Sequence, residues 1–400
     1  MALTLDDAPF RHREGIDTLL AALDAGAGCA RYVGGIVRDT LLGIDAADVD
    51  IATVFPPEET MRRLQAAGIR VVPTGLAHGT VTAVLPSGPI EVTTLRRDVD
   101  TDGRHAVVAF TDDWREDAAR RDFTMNALYA DPVSGRLFDY FGGLDDLAAR
   151  RVRFIGDPYQ RIAEDHLRIL RFFRFHARFG DTIDADGLAA CEARANDLMA
   201  LSRERIASEL MKLLVAPGAV PVMRLMVERG ILRAVLPEIA DAGPLAGLAT
   251  REAAAGVRAD SVRRLAALLP PAAADAVGAR LKLSNADRKR LVAASLGVGD
   301  EGARGLAYRI GITSALDRLL FAGAPVDDIL GWDVPRLPIG GGALVERGLS
   351  KGPAVAAALR AIEAQWIAEG FPDAARVDQI ADAIVGTSIA SASASSSGRA

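Results

Sequence analysis

The sequence predicts an α+β fold, with a small mixed sheet in the first 145 residues and an all-α remainder. Two observations carry this. Short β-branched runs (RYVGG, ADVDIAT, IRVVPTG, GTVTAVL, IEVTTL, LYADPVSGRLFDYF) alternate with turn residues up to about residue 145. Beyond Gly143 such runs stop and apolar residues recur at helical spacing, as in the stripe Ile206, Leu210, Leu213 and Leu214.

The segments from Thr40 to Ile51 and from Pro57 to Ala67 read as short helices between strands, which makes the sheet a mixed one. LRRDVDTDGRHAVVAFTDD, residues 95–113, has few core positions and reads as a solvated loop. The helical part opens with YQRIAEDHLRILRFFRFHARF and SRERIASELMKLLVAP. It continues to about Val385 as Ala- and Leu-rich pieces punctuated by PG, PP and GG. Ser284, three residues before Asp287, has the spacing of a helix N-cap with an acidic partner. The end, TSIASASASSSGRA, is low-complexity and reads as disordered. The expected organisation is a head over 1–145, a helical neck over 146–215, a helical body and tail over 216–385 and a disordered segment over 386–400.

At 400 residues, with half of them hydrophobic and a quarter charged, the chain is globular and too long for one ordinary domain. Cys29 and Cys191 are its only cysteines, which excludes a disulfide framework or a thiolate metal site and fits a reducing, cytoplasmic setting. No apolar run is long enough to span a bilayer, and the first residues lack the apolar core of a signal peptide. The net charge of −6 argues against general coating of nucleic acid. Locally, however, Arg150, Arg151, Arg153, Arg161, Arg168, Arg171, Arg174 and Arg178 face only Asp157, Glu164 and Asp165, which predicts a basic surface.

Charge and glycine concentrate in RYVGGIVRDTLLGIDAADVDIAT. Gly34-Gly35 reads either as a tight strand-to-helix turn or as a place where backbone N–H groups approach a phosphate. Asp48 and Asp50, two apart on a strand, share a face, so their carboxylates repel unless a divalent cation lies between them. Glu91, between Ile90 and Val92, reads as an exposed strand residue or as a third carboxylate turned towards the aspartates.

The ordered set Gly34-Gly35, Arg38-Asp39, Leu41-Leu42-Gly43 and Asp48-x-Asp50 resembles the catalytic signature of the DNA polymerase β superfamily of nucleotidyltransferases. The variant is that of bacterial class II tRNA nucleotidyltransferases and poly(A) polymerases. RRDFTMNA, from Arg120, resembles the family's second motif, and EDHLRILR, Glu164 to Arg171, its EDxxR motif. The likeness covers about residues 30–215.

The resemblance implies a polymerase β-like head followed by a helical neck, body and tail. It further implies two Mg²⁺ ions on Asp48 and Asp50, with Glu91 completing the catalytic carboxylates. Gly34, Gly35 and Arg38 would hold a triphosphate, Arg121 and Asp122 the ribose and phosphates, with Asn126 in support. Cytosine and adenine each offer an amine beside a ring-nitrogen acceptor, so a carboxylate and a guanidinium together select them over uracil and guanine. Asp165 and Arg168, three apart on one helix face, fit that task, with Glu164 orienting the arginine and Arg171 closing the motif.

The implied substrates are CTP, ATP and the acceptor arm of tRNA, gripped by the basic neck and the helical C-terminal half. The implied reaction is template-independent CCA addition. In the family the 95–113 segment is the element that switches the pocket from CTP to ATP. PTGLAHGTVTAVL points to the CCA-adding branch, with His78 a turn or packing residue. Poly(A) synthesis and an inactive RNA-binding protein are the alternatives, and oligomeric state is not readable from the sequence.

Overall fold

The computed structural model describes residues 5, 8–45, 48–101 and 106–397. They form two compact units, Met1–Ala242 and Gly243–Ala400. The first unit thus extends past the expected neck boundary at 215, because helix Ala219–Glu228 packs on the neck helices.

The first unit begins with α1 (Ile16–Ala22), β1 (Ala30–Val33), α2 (Gly35–Leu41), β2 (Asp50–Thr53) and α3 (Pro57–Ala66). β3 (Arg70–Gly75), β4 (Thr80–Leu85) and β5 (Gly88–Thr94) follow as a meander. Then come β6 (Arg96–Thr101), β7 (Ala106–Phe110), α4 (Trp114–Ala119), β8 (Leu128–Ala130) and β9 (Leu137–Asp139). The main sheet has the order β3-β4-β5-β2-β1-β8-β9. It is mixed because α3 and the meander return the chain parallel to β2, setting Asp50 opposite Glu91.

Alternation decides which side chains are free for chemistry. In β5, Ile90 and Val92 are buried while Glu91 between them is exposed. In β2, Ile51 is buried and Asp50 only partly so.

Four sequence expectations are corrected here. The first crossover helix runs over Gly35–Leu41 and not from Thr40 to Ile51: Gly34, at φ +70°, turns the strand straight into a helix. Of the stretch that follows it, residues 46 and 47 lie outside the described residues. The charged 95–113 segment contains an antiparallel ribbon of β6 and β7, whose backbones pair from Arg96 opposite Phe110 to Thr101 opposite Ala106; residues 102–105 lie outside the described residues. Strands do not end at Gly143, because β10 (Arg151–Val152) pairs in parallel with β11 (Thr182–Ile183). The final helix runs through Ser397, with Thr387 and Ser388 hydroxyls bonded back one turn, so alanine's helix propensity prevails over the low complexity; residues 398–400 lie outside the described residues.

After α5 (Gly143–Ala148), the neck consists of α6 (Pro158–Glu164), α7 (Arg168–Phe179), α8 (Ala185–Ala193), α9 (Arg203–Leu214) and α10 (Ala219–Glu228). Ser202 caps α9, and the predicted stripe of Ile206, Leu210, Leu213 and Leu214 is buried. Phe123 from the head lies 5.0 Å from Phe154 and 5.2 Å from Phe175 between ring centroids, and Phe154 stacks on Phe172 at 5.4 Å. Aromatic contacts of this kind add about 0.5–1.5 kcal/mol each beyond area burial. They lock α7 onto the segment carrying Arg121 and Asp122.

The second unit is all helical, from α11 (Gly243–Ala254) through α12 (Ser261–Ala267), α13 (Ala274–Arg280), α14 (Asn285–Ala293), α15 (Gly302–Ile310), α16 (Ile312–Ala322), α17 (Gly341–Glu346) and α18 (Pro353–Ala368) to α19 (Ala374–Ser397). Ser284 caps α14 through the Asp287 N–H, as its spacing predicts. Buried Arg263 bridges Glu252 at 2.7 Å and Asp317 at 2.8 Å, fastening α12 to α11 and α16. Among the described residues no helix is long and apolar enough to cross a membrane.

Candidate active site

A cavity of about 500 Å³ in the first unit is lined by Gly34, Gly35, Arg38, Arg96, Arg120, Arg121, Asp122, Asn126, Asp165, Arg168, Arg171 and Phe175. Six arginines against two aspartates make it a chamber for a polyanion. The glycine turn, the RRD segment and the EDxxR segment, far apart in sequence, all reach it. A Cβ on Gly34 would lie 3.2 Å from a terminal nitrogen of Arg121, so the side-chain-free turn leaves room for that guanidinium.

The arginines are held by a network of carboxylates. Arg38 donates from Nε to Asp39 at 2.7 Å and from Nη1 to the Asn126 side-chain oxygen Oδ1 at 2.5 Å. Asn126 in turn donates to Asp122 Oδ1 at 2.9 Å. Asp122 Oδ1 also accepts from the Phe123 N–H, while Oδ2 takes both Nε and Nη2 of Arg171. Burial alone would raise the Asp122 carboxyl; Arg171 and these hydrogen bonds hold it below its usual range. Its oxygens are therefore fully engaged inside the protein.

Arg120 and Arg121 both pair with Asp117, at 2.8 and 3.2 Å, and the Tyr129 hydroxyl donates to the same carboxylate at 2.6 Å. Burial opposes its ionisation, but Arg121, Arg120 and Tyr129 bring the Asp117 carboxyl down to about 2. Asp117 also accepts the Arg96 N–H at the root of the ribbon.

Asp165 and Arg168 border one cavity, but not as neighbours on a helix face. Helix α6 ends at Glu164, Asp165 is extended at φ −150°, and α7 begins at Arg168. Freed from the helix, Asp165 accepts the Leu167 N–H and pairs with Arg205 at 2.9 Å. Arg168 is anchored to Glu164 at 2.6 Å and to the carbonyl oxygens of Arg161 and Arg120. Glu164 also takes Arg161, so it orients two guanidinium groups.

Asp48, Asp50 and Glu91 are not part of the cavity lining. Asp50 is nonetheless within electrostatic reach of Arg121, which faces that cavity. Burial, then Glu91 and Asp48, push the Asp50 carboxyl up to about 6 against the lowering effect of Arg121. An excess of negative charge on hard oxygen donors suits a divalent cation. Among the described residues no three such side chains are gathered closely enough to enclose an ion by themselves.

The predicted basic surface of the neck is corrected. Arg151 and Arg153 pair with Asp146, Arg161 and Arg168 with Glu164, Arg171 with Asp122 and Arg174 with Glu209. Arg150 lies 3.7 Å from Asp181 and Arg178 3.6 Å from Asp39. Apart from Glu164, the counter-charges come from outside the segment, where a local count does not see them. Sequence reasoning also missed Arg96, Arg120 and Phe175 as lining residues, Asp117 as the support of Arg96 and Arg120, and Arg205 as the support of Asp165. Only Arg120, inside the RRD motif, carried a readable signal.

Asp48 precedes β2, which begins at Asp50, so the two aspartates do not share a strand as the sequence predicts. A mixed sheet with an Asp at the start of a central strand, a glycine turn and an arginine-lined chamber is the architecture of a nucleotidyltransferase head. Residues 30–153 match the family described as poly A polymerase head domain, and residues 182–242 that described as probable RNA and SrmB-binding site of polymerase A. The zebrafish (Danio rerio) mitochondrial CCA tRNA nucleotidyltransferase 1 is 36% identical over 84% of this chain and 83% of its own length. Its human counterpart is 49% identical over 46% of this chain and 43% of its own. The Bacillus stearothermophilus CCA-adding enzyme, solved in complex with CTP, superposes with a TM-score of 0.65 at 28% identity, covering 88% of this chain and 92% of that one. The chain belongs to the CCA-adding tRNA nucleotidyltransferase family.

Proposed function

We propose that this chain adds C, C and A in turn to the 3′ end of tRNA, from CTP and ATP, with release of pyrophosphate. One arrangement carries the reading: the candidate base-selecting pair, Asp165 and Arg168, borders the same arginine-lined cavity as the glycine turn. A nucleotide whose phosphates lie against Gly34, Gly35 and Arg38 then presents its base edge to Asp165 and Arg168. Asp165 accepts from the exocyclic amine and Arg168 donates to the ring nitrogen. Arg121 and Arg171 neutralise the phosphates and ribose edge; Asp122 acts through Arg171 and, by way of Asn126, through Arg38.

The RNA 3′-oxygen attacks the α-phosphorus, and the bond from that phosphorus to the oxygen bridging the β-phosphate breaks. Asp48, Asp50 and Glu91 form the carboxylate face for this step. Asp48 and Asp50, with Glu91 beside them, would hold the divalent ions, two Mg²⁺ in this reading, which would supply Lewis-acid charge at the attacking hydroxyl and the departing pyrophosphate. The acceptor arm of tRNA is the primer, the C-terminal helices serve as its support, and the unpaired Cys29 and Cys191 suit a reducing, cytoplasmic setting.

The match to a poly A polymerase head favours a second reading, addition of A tails. Incubation with tRNA ending at the discriminator base and each labelled nucleotide separates the two. CCA addition requires that CTP alone be incorporated, that ATP extend only the CC product, and that D48A/D50A be inert. ATP incorporation without prior CTP supports the tailing reading.

A further inference from the structure

One wall of the arginine-lined cavity is apolar. It is the ring of Phe175, which stands on the same face of α7 as Arg168 and Arg171, at i, i+3 and i+7. Three guanidinium groups approach that ring within cation–π range, Arg174 at 4.4 Å from the centroid and Arg38 and Arg171 at 5.3 Å each. Arg174 is paired with Glu209 and lies outside the cavity lining. Arg38 and Arg171 are both part of the lining, the first from α2 in the head and the second from α7 in the neck.

These two arginines are the ends of one hydrogen-bonded arc. Arg38 donates to Asn126 Oδ1, Asn126 donates to Asp122 Oδ1, and Asp122 Oδ2 accepts from Nε and Nη2 of Arg171. The arc holds each guanidinium at its edges, where the N–H groups point, while Phe175 attracts both ends through its ring. Burial, with Arg178 acting in the same direction, holds the Arg38 guanidinium below its usual pKa despite Asp39. A cation so desolvated is where the negative face of a ring counts most. The ring is itself packed in place: Phe175 is 5% exposed, and its centroid lies 5.2 Å from that of Phe123 and 5.7 Å from that of Phe179.

We infer that Phe175 is a positioning residue for nucleotide binding: its ring holds Arg38 and Arg171 at the two ends of the arc, set to meet the triphosphate and ribose edge of CTP or ATP before the nucleotide arrives. The inference rests on the proposed function, which puts a nucleoside triphosphate in this cavity. Phe175 acts through the two arginines and makes no polar contact of its own, so its removal is felt in nucleotide affinity and not in the chemical step.

The test uses the full chain, with Phe175 replaced by mono-, di- and trifluorophenylalanine and, separately, F175L. Fluorine keeps the shape of the ring while withdrawing negative charge from its face, so packing is preserved and the attraction for cations is lost in steps. In C addition to tRNA, KM for CTP should rise stepwise through the fluorinated series and reach about 5- to 30-fold in F175L, the range for losing a desolvated cation–π contact. KM for tRNA and kcat should stay within about twofold of the parent, as expected when only nucleotide binding is weakened. Should F175L not fold, the fluorinated series decides alone. An unchanged KM for CTP across that series, or equal rises in KM for CTP and tRNA, would overturn the positioning role while leaving the proposed function standing. A parent chain that incorporates no CTP would overturn both.

Discussion

Arg205 holds Asp165 by donating from one terminal nitrogen to both carboxylate oxygens, at 2.9 and 3.1 Å. The partner of the candidate amine acceptor is thus on α9, forty residues downstream, and not on α6 or α7, which flank it. With both side chains about one-third exposed, the pair is worth at most about 1 kcal/mol to folding. Its effect on base choice should be larger. R205A is expected to keep its Tm within a few degrees, while discrimination of CTP over UTP falls about tenfold or more in single-nucleotide incorporation. R205K, which keeps the charge, should recover part of it.

Proton and cation compete at Asp50. Its carboxyl, pushed up to about 6, retains a proton in the folded state that the unfolded chain has already lost. For this group, therefore, stability of the metal-free protein falls as pH rises from about 4 to 6. Mg²⁺ should reverse that loss. The Mg²⁺-induced rise in Tm is expected to be present at pH 7.5, to shrink towards pH 5, and to be absent at both in D50N.

Asp117 has the opposite sign. A carboxyl held at about 2 in the fold contributes stability that is present above its unfolded value near 4 and fades as pH falls through about 2. D117N should cost on the order of 2 kcal/mol at pH 7 by denaturant unfolding, with the gap to the parent narrowing below pH 4. The loss of grip on Arg120 and Arg121 should also raise KM for CTP.

Asp146 is fully buried and accepts from Thr124, Arg151 and Arg153. Removing it strands the Thr124 hydroxyl and two guanidinium groups. D146A should destabilise the first unit by roughly 3 kcal/mol in chemical denaturation. The double change R151A/R153A, whose side chains are partly exposed, should leave RNA binding only slightly less salt-sensitive than the parent, because Asp146 already balances one of the two charges.

Much of the head is legible in its sequence because local rules coincide there. Alternation around Ile90-Glu91-Val92 and the stripe from Ile206 to Leu214 each mark a buried face, and Gly34-Gly35 marks a turn. The break at Asp165 is not legible, since DHL contains neither proline nor glycine; the distant bond from Arg205 and the Leu167 N–H that Asp165 accepts set it. The pairing of neck arginines with Asp122, Asp146 and Glu209 is likewise invisible to a local charge count. The β6–β7 ribbon is hidden because its charge density imitates a loop. Of the candidate site, the motif residues are readable and their supports, Asp117 and Arg205, are not: an ordinary Asp or Arg on a helix carries no sign of a distant partner.

The most direct test of the central claim is the sequence of the product made from tRNA ending at the discriminator base with Mg²⁺ and all four nucleotides together. The account predicts C, C and A followed by a stop, with D165A and R168A admitting other bases while D48A/D50A adds none. A product of long A tracts, or the same nucleotide selection in the parent, D165A and R168A, would contradict it.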